Sequence, residues 1–181
     1  NMAAAKKIDK EGILDAAYRL VRKEGLGALS ARKLAQEAAC STQPIYENFG
    51  DMGAVVEITK ERMQEAVHAL KTGLRRNRDA DYSRCGTEFC RFAMEEKMLF
   101  RHYVAESGAD MTLVKEMSAV KALVDKYGFD SEKADLVDGE MIGYILGKAF
   151  LVNSGYEEFN EEKTTLAIQN YQEYIIGTFV K

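Results

Sequence analysis

Residues 30–49 constrain this chain more than any other stretch, because few backbones suit them. They read SARKLAQEAACSTQPIYENF. Ser30 is a favoured helix N-cap, and good helix formers follow it through Ala38. Ser41 is a second N-cap residue, with Thr42 and Gln43 in the first turn of the helix it starts. Pro44 then falls at the third helical position. No hydrogen bond is lost there, because the first four N–H groups of a helix have no intrahelical partner. Two helices of about eight residues, joined by a turn of three or four, make a helix-turn-helix. Its second helix opens with small polar side chains, the kind that meet base edges in a DNA groove.

The apolar residues divide these helices into faces. Leu34, Ala35 and Ala38 form one inward edge, and Ile45 and Phe49 form an i, i+4 pair. Ser30, Arg32, Ser41, Thr42, Gln43 and Tyr46 are left facing outward. All six can donate hydrogen bonds to phosphate or base acceptors, and none is acidic. Short paired helices also occur in all-α proteins without a DNA role. The competing reading is therefore a helical protein–protein interaction module whose helix-turn-helix no longer binds DNA.

The run resembles the DNA-binding domain of TetR-family transcriptional regulators. The matching elements are an upstream amphipathic helix with Ala16-Ala17, then Ser30-x-Arg32-x-Leu34-Ala35, then Ser41-x-x-x-x-Tyr46-x-x-Phe49. They cover residues 8–56, near the first third of the chain. Three positions depart from the family pattern. The turn usually carries Gly then Val, and here it carries Ala39 then Cys40. The residue before the final Phe is commonly His, and here it is Asn48. A phosphate-holding Lys commonly follows, and here the segment reads Gly50-Asp51-Met52-Gly53.

The resemblance implies an all-α fold in two parts. Residues 1–53 would form a three-helix DNA-binding domain. A connecting helix would join it to a helical effector-binding and dimerisation domain over 54–181. The partners implied are a palindromic DNA operator, a second copy of the chain and a small-molecule effector, most often in a repressor. The residues expected on DNA are Lys6, Lys7, Ser30, Arg32, Ser41, Thr42, Gln43, Tyr46 and Asn48, with Tyr46 on a phosphate.

The rest of the chain agrees with such a plan. Apolar content is 46% over 181 residues with a single proline, which fits a globular, mostly helical protein. The net charge is −4. Residues 1–53 hold eight Lys or Arg against seven Asp or Glu, so the excess acid lies beyond them. An acidic chain can still bind DNA if its few cations share one face. Asp9 caps a predicted helix over 10–24, whose Ile13, Leu14, Ala17, Leu20 and Val21 make one apolar face and which Gly25 ends. Asp51 caps a long helix over 52–76, and residues 75–79 read as a polar loop. Further helices are expected over 82–104, from Asp110 or Thr112 to Lys126, from Asp130 to Asn153, and from Asn160 onward. No strand signal is present. The expectation is an all-α chain of about nine helices.

Other chemistry finds little support. There is no Ser-His-Asp set, no phosphate-cradling Gly loop and no HExxH, so no enzyme is expected. His68 and His102 lack ligand spacing, so neither a metal nor a cofactor is expected. Three cysteines, Cys40, Cys85 and Cys90, make no disulfide framework. Cys40 reads as a small apolar residue in the turn rather than a redox sensor. There is no signal peptide and no apolar run near 18 residues, which points to the cytoplasm. Asn1 ahead of Met2 reads as a cloning remnant.

Two groups of residues in the C-terminal part have both a bland and a functional reading. Phe89, Phe92, Phe100, Tyr103, Met117 and Tyr144 are candidates to line an effector pocket, though most such residues belong to a core. Gly139, Gly143 and Gly147 recur every four residues and share one helix face. Each costs about 1 kcal/mol against Ala in a helix, so another backbone is expected close by. The partner is either a second subunit or a neighbouring helix of the same one.

Overall fold

A computed structural model describes residues 8–74, 79–106 and 112–180. Lys6, Lys7, Asp110 and most of the expected polar loop at 75–79 lie outside the described residues. All regular structure among the described residues is helical. The chain divides into two compact units, Asn1–His68 and Ala69–Lys181.

In the first unit, α1 (Lys10–Glu24) starts where the Asp9 side chain accepts the Gly12 N–H at 2.8 Å. It ends at Gly25, whose φ of 86° few other residues adopt. A 3₁₀ turn, Leu26–Ala28, leads to α2 (Ala31–Glu37), capped by the Ser30 hydroxyl on the Lys33 N–H. Next come α3 (Gln43–Phe49) and α4 (Met52–Leu74). Asp51 caps α4 through the Ala54 N–H at 2.9 Å. Ile13, Ala16, Ala17, Leu34, Ala35, Ile45 and Val55 form the core of this unit, with Phe49 and Met52 packed at its edge. Ile13, Ala17, Leu34, Ala35, Ile45 and Phe49 are among the inward residues that the sequence periodicity picks out.

Polar pairs brace the same unit from outside. Glu37 on α2 accepts from both Lys23 and Arg19 on α1, at 3.1 and 3.2 Å. Those two hydrogen bonds, the Lys23 one foremost, hold the Glu37 carboxyl below its ordinary range. Arg62 on α4 pairs with Glu11 and Asp15 on α1. The Lys10 ammonium sits 5.2 Å from the centre of the Phe49 ring, a cation–π distance.

The turn between α2 and α3 holds a strained residue. Ala39 sits at φ 51°, in the left-handed region. Its N–H reaches the Gln36 carbonyl at 3.2 Å, and the Cys40 N–H reaches that of Ala35 at 2.9 Å. That pair of bonds is a Schellman ending, whose left-handed position is usually Gly. An L-residue there costs about 1–2 kcal/mol, partly offset by its lower freedom when unfolded. Ala39→Gly should therefore raise stability by about 0.5–1 kcal/mol. Urea unfolding checks this; a lower midpoint would mean that the turn is not left-handed in solution.

The second unit contains α5 (Tyr82–Glu95), α6 (Lys97–Phe100), a π-helix (Arg101–Glu106), α7 (Thr112–Lys115), α8 (Val120–Tyr127), α9 (Ser131–Ser154) and α10 (Glu161–Phe179). Asp130 and Asn160 cap α9 and α10 through the Lys133 and Lys163 N–H groups. The centre is α5, which packs along both α9 and α10. Gly86 makes that approach possible: a Cβ there would lie 2.8–2.9 Å from Ile168 and Ile145 side-chain carbons.

Two expected helices are interrupted. The run over 82–104 breaks at Glu96, where φ is −115° and ψ is 52°. Asn153 of α9 causes it. Its buried amide donates to the Ala93 and Lys97 carbonyls at 2.9 and 3.1 Å and accepts from Arg101 Nε at 3.1 Å. A side chain inserted into the carbonyl ladder bends a helix in this way. The run that ends at Gly128 breaks between α7 and α8. There Asp138 of α9, only 6% exposed, accepts the Ala119 N–H at 2.7 Å. The same oxygen accepts from the Tyr82 hydroxyl. Burial, and then this carboxylate, push the Tyr82 phenol far above its ordinary range, so it remains a donor.

Candidate nucleic-acid interface

The outward face of α2 and α3 collects the residues expected on DNA. Only Ile45 of α3 is fully buried, and it anchors the helix to the core. Ser41, Thr42, Gln43, Tyr46 and Asn48 are all exposed, Tyr46 at 47%. Arg32 is exposed and forms no ion pair among the described residues, unlike Lys33, which is paired with Glu24. Ser30 is also exposed, but its hydroxyl is committed to the α2 cap, with Lys33 N 3.5 Å away. The structure thus brings Arg32, Ser41, Thr42, Gln43 and Tyr46 to the surface of one unit, with Ser30 and Asn48.

Two details of α3 differ from the sequence expectation. The helix begins at Gln43 rather than after Ser41, so Pro44 is its second residue. The residue before it is Thr42, at φ −72° and ψ −19°, without a side-chain cap bond. Its backbone is already helical, so its hydroxyl cannot take the usual capping position. Ser41 lies in the preceding turn. Asn48, which replaces the usual His, donates to the Pro44 carbonyl at 2.7 Å.

The sequence reading missed Glu47. It is exposed and accepts from the Gln43 amide at 2.6 Å. The signal was available: Gln43 and Glu47 are spaced i, i+4, and Ile45 lies midway between them in sequence. At about 100° per residue, both point away from the core.

Cys40 in the turn is half-buried, and burial raises its thiol above the ordinary value. Burial pushes Cys85 and Cys90 up to about 12. Cys85 and Cys90 are thus inert, as buried structural thiols are. No group of three His, Cys, Asp or Glu placed to hold a metal occurs among the described residues. No helix among them is long and apolar enough to cross a membrane.

In the second unit the expected pocket residues separate. Phe89, Phe92 and Phe100 are buried and meet edge to face, with centroids 5.7 and 6.3 Å apart. Met117 is fully buried and Tyr103 half-buried. Tyr144 lies elsewhere, stacked on Tyr171 of α10 at 4.2 Å. A groove of about 320 Å³ lies at Tyr127, Gln172, Glu173, Ile176, Gly177 and Val180, away from all six. Gly139, Gly143 and Gly147 are exposed, and a Cβ on any of them would meet nothing within 4 Å. Among the described residues, none of the same subunit packs closely against that stripe.

A buried anchor, an exposed polar face and a short turn define a helix-turn-helix DNA-binding unit. Residues 13–57 match the family described as "Bacterial regulatory proteins, tetR family". No curated protein matches the chain significantly in sequence. Among solved structures, the chain is similar to a TetR-like transcriptional regulator from Rhodococcus sp. RHA1. The TM-score is 0.60 at 14% identity, over 98% of each chain. It is also similar to a TetR variant from Acinetobacter baumannii AYE in complex with minocycline. There the TM-score is 0.47 at 16% identity, over 95% of this chain and 96% of that one. The resemblance to the TetR family holds over residues 13–57, and the fold of the whole chain is similar to that of the TetR-like Rhodococcus protein.

Proposed function

We propose that this protein is a homodimeric repressor that binds a palindromic DNA operator and leaves it when a small molecule binds the C-terminal domain. The observation that carries this reading is the outward face of α3: Gln43, Tyr46 and Thr42 exposed, with Arg32 on α2 in no ion pair among the described residues. In the dimer, each α3 enters a major groove, the two lying about 34–36 Å apart, one turn of DNA. Arg32, Tyr46 and Ser30 hold phosphates and set the register, with Lys6 and Lys7 from the N-terminal arm. Gln43, Thr42, Ser41 and Asn48 face base edges. The DNA-binding domain is taken as residues 1–53 and the effector and dimer domain as 54–181.

The dimer reading rests on α9. Leu136, Gly139, Gly143, Gly147 and Phe150 lie along one exposed stripe of it. Leu166, Tyr174 and Val180 are exposed on the α10 side. Such a face suits an isologous contact with its own copy. The effector reading rests on the aromatic cluster. A ligand entering among Phe89, Phe92 and Phe100 has to part rings that now close on one another. A packed core answers such a demand by changing arrangement rather than by yielding smoothly. A ligand that prefers the arrangement with the wrong groove spacing lowers DNA affinity by its differential affinity for the two.

Selection of bound sequences from random duplex DNA tests the reading. An enriched palindrome is expected, and Gln43→Ala should cost about 1–3 kcal/mol on it and relax one position. A pool that enriches no sequence leaves only the protein–protein module.

A further inference from the structure

We propose that Glu47 reads a cytosine, and that Glu47 and Gln43 act as a couple across adjacent base pairs. This rests on the reading of α3 as a helix that enters the major groove. Glu47 and Gln43 stand opposite the buried Ile45, at the crest of the exposed face of α3. Whatever α3 docks into, these two side chains meet it first. Glu47 has no Lys or Arg partner among the described residues; its partner is the Gln43 amide at 2.6 Å.

A carboxylate at that place is costly on DNA. It would face the phosphates of both strands, with no Lys or Arg paired to it among the described residues. It also meets base edges that are mostly acceptors. Guanine offers N7 and O6 in the major groove, and thymine offers O4. Two bases present donors. Adenine's N6 amine stands beside its N7 acceptor, which repels an oxygen anion. Cytosine's own edge offers only its N4 amine, with the paired guanine O6 on one side and no acceptor on the other. Glu47 therefore selects cytosine mainly by rejecting the other bases, because the repulsion disappears only where a donor is met.

Gln43 fits beside it. Its amide gives one N–H to Glu47 and keeps a second N–H and its oxygen. That remaining pair is what a bidentate contact to adenine N7 and N6 requires. Side chains at i and i+4 have Cβ atoms about 5–6 Å apart, and successive base pairs about 3.4 Å, so the two reach neighbouring pairs. The hydrogen bond between them biases both side chains toward this pairing before DNA is met.

The test compares the wild-type chain with Glu47→Gln and Gln43→Ala on the site that the wild type selects, using every single-base variant of it. Glu47→Gln keeps the size of the side chain and removes its charge. The wild type should prefer cytosine over thymine at one position by about tenfold or more, and Glu47→Gln should lose that preference. The same variant should bind a scrambled duplex several-fold more tightly, because a phosphate repulsion is gone. Gln43→Ala should relax the neighbouring position. A wild-type palindrome whose base preferences are all unchanged in Glu47→Gln overturns the inference and leaves the regulator standing. So does a loss confined to the position that Gln43 reads, since Glu47 would then only orient Gln43. A wild type that selects no palindrome overturns the regulator reading, and this inference with it.

Discussion

Replacing Gly143 with leucine should give a folded monomer that no longer holds its operator. Within one subunit the substitution is harmless, because a Cβ at Gly143 meets nothing within 4 Å. The helix itself should gain, since glycine costs about 1 kcal/mol against a good helix former. In the proposed dimer the damage falls on the second copy, whose backbone would lie along the stripe. One subunit alone engages one half-site, so binding should fall to about the non-specific level, roughly a thousandfold weaker or more. Sedimentation at micromolar concentration, a melting curve and a titration with the selected duplex measure the three parts. A variant that melts at least as high as the wild type and still sediments as a dimer places the interface elsewhere.

Asp138→Ala should be among the most damaging single changes in the C-terminal unit. The carboxylate is 6% exposed and serves two donors, the Tyr82 hydroxyl and the Ala119 N–H. Alanine leaves both buried and unpaired. Each such donor costs about 1–3 kcal/mol, and the small cavity adds to it. The expected loss is about 3–5 kcal/mol, a large share of the stability of an ordinary domain. Asp138→Asn keeps one acceptor oxygen and should lose less. Urea unfolding with an unchanged slope reads the difference. A loss below about 1 kcal/mol in the alanine variant would show that water replaces the carboxylate and that the node holds little.

Helix starts were legible in the sequence because capping is local. Asp9, Ser30, Asp51, Asp130 and Asn160 each cap a helix a few residues away, and each does so in the structure. The breaks at Glu96 and before Val120 were not legible. They are imposed by Asn153 and Asp138, which lie far along the chain and act only once α9 has docked. Ser41 misled because two capping residues stand side by side, and the preference for one over the other lies in the backbone of Thr42. The exposed face of α3 was legible from its period, apart from Glu47, whose charge hid its place beside Gln43. The glycines show the opposite failure. Spacing drew notice to Gly139, Gly143 and Gly147, while Gly86, which does admit two neighbouring side chains, stands alone in its helix.

The π-helix at Arg101–Glu106 has a consequence for chain length. A turn closed by i→i+5 bonds is an α-turn that houses one residue more. Its start is held by Asn153, which accepts from Arg101. The segment is therefore a place where a one-residue deletion can be absorbed by tightening a turn, without shifting α5 against α9. Within α5, α9 or α10 a deletion would rotate every later side chain of the helix by about 100°.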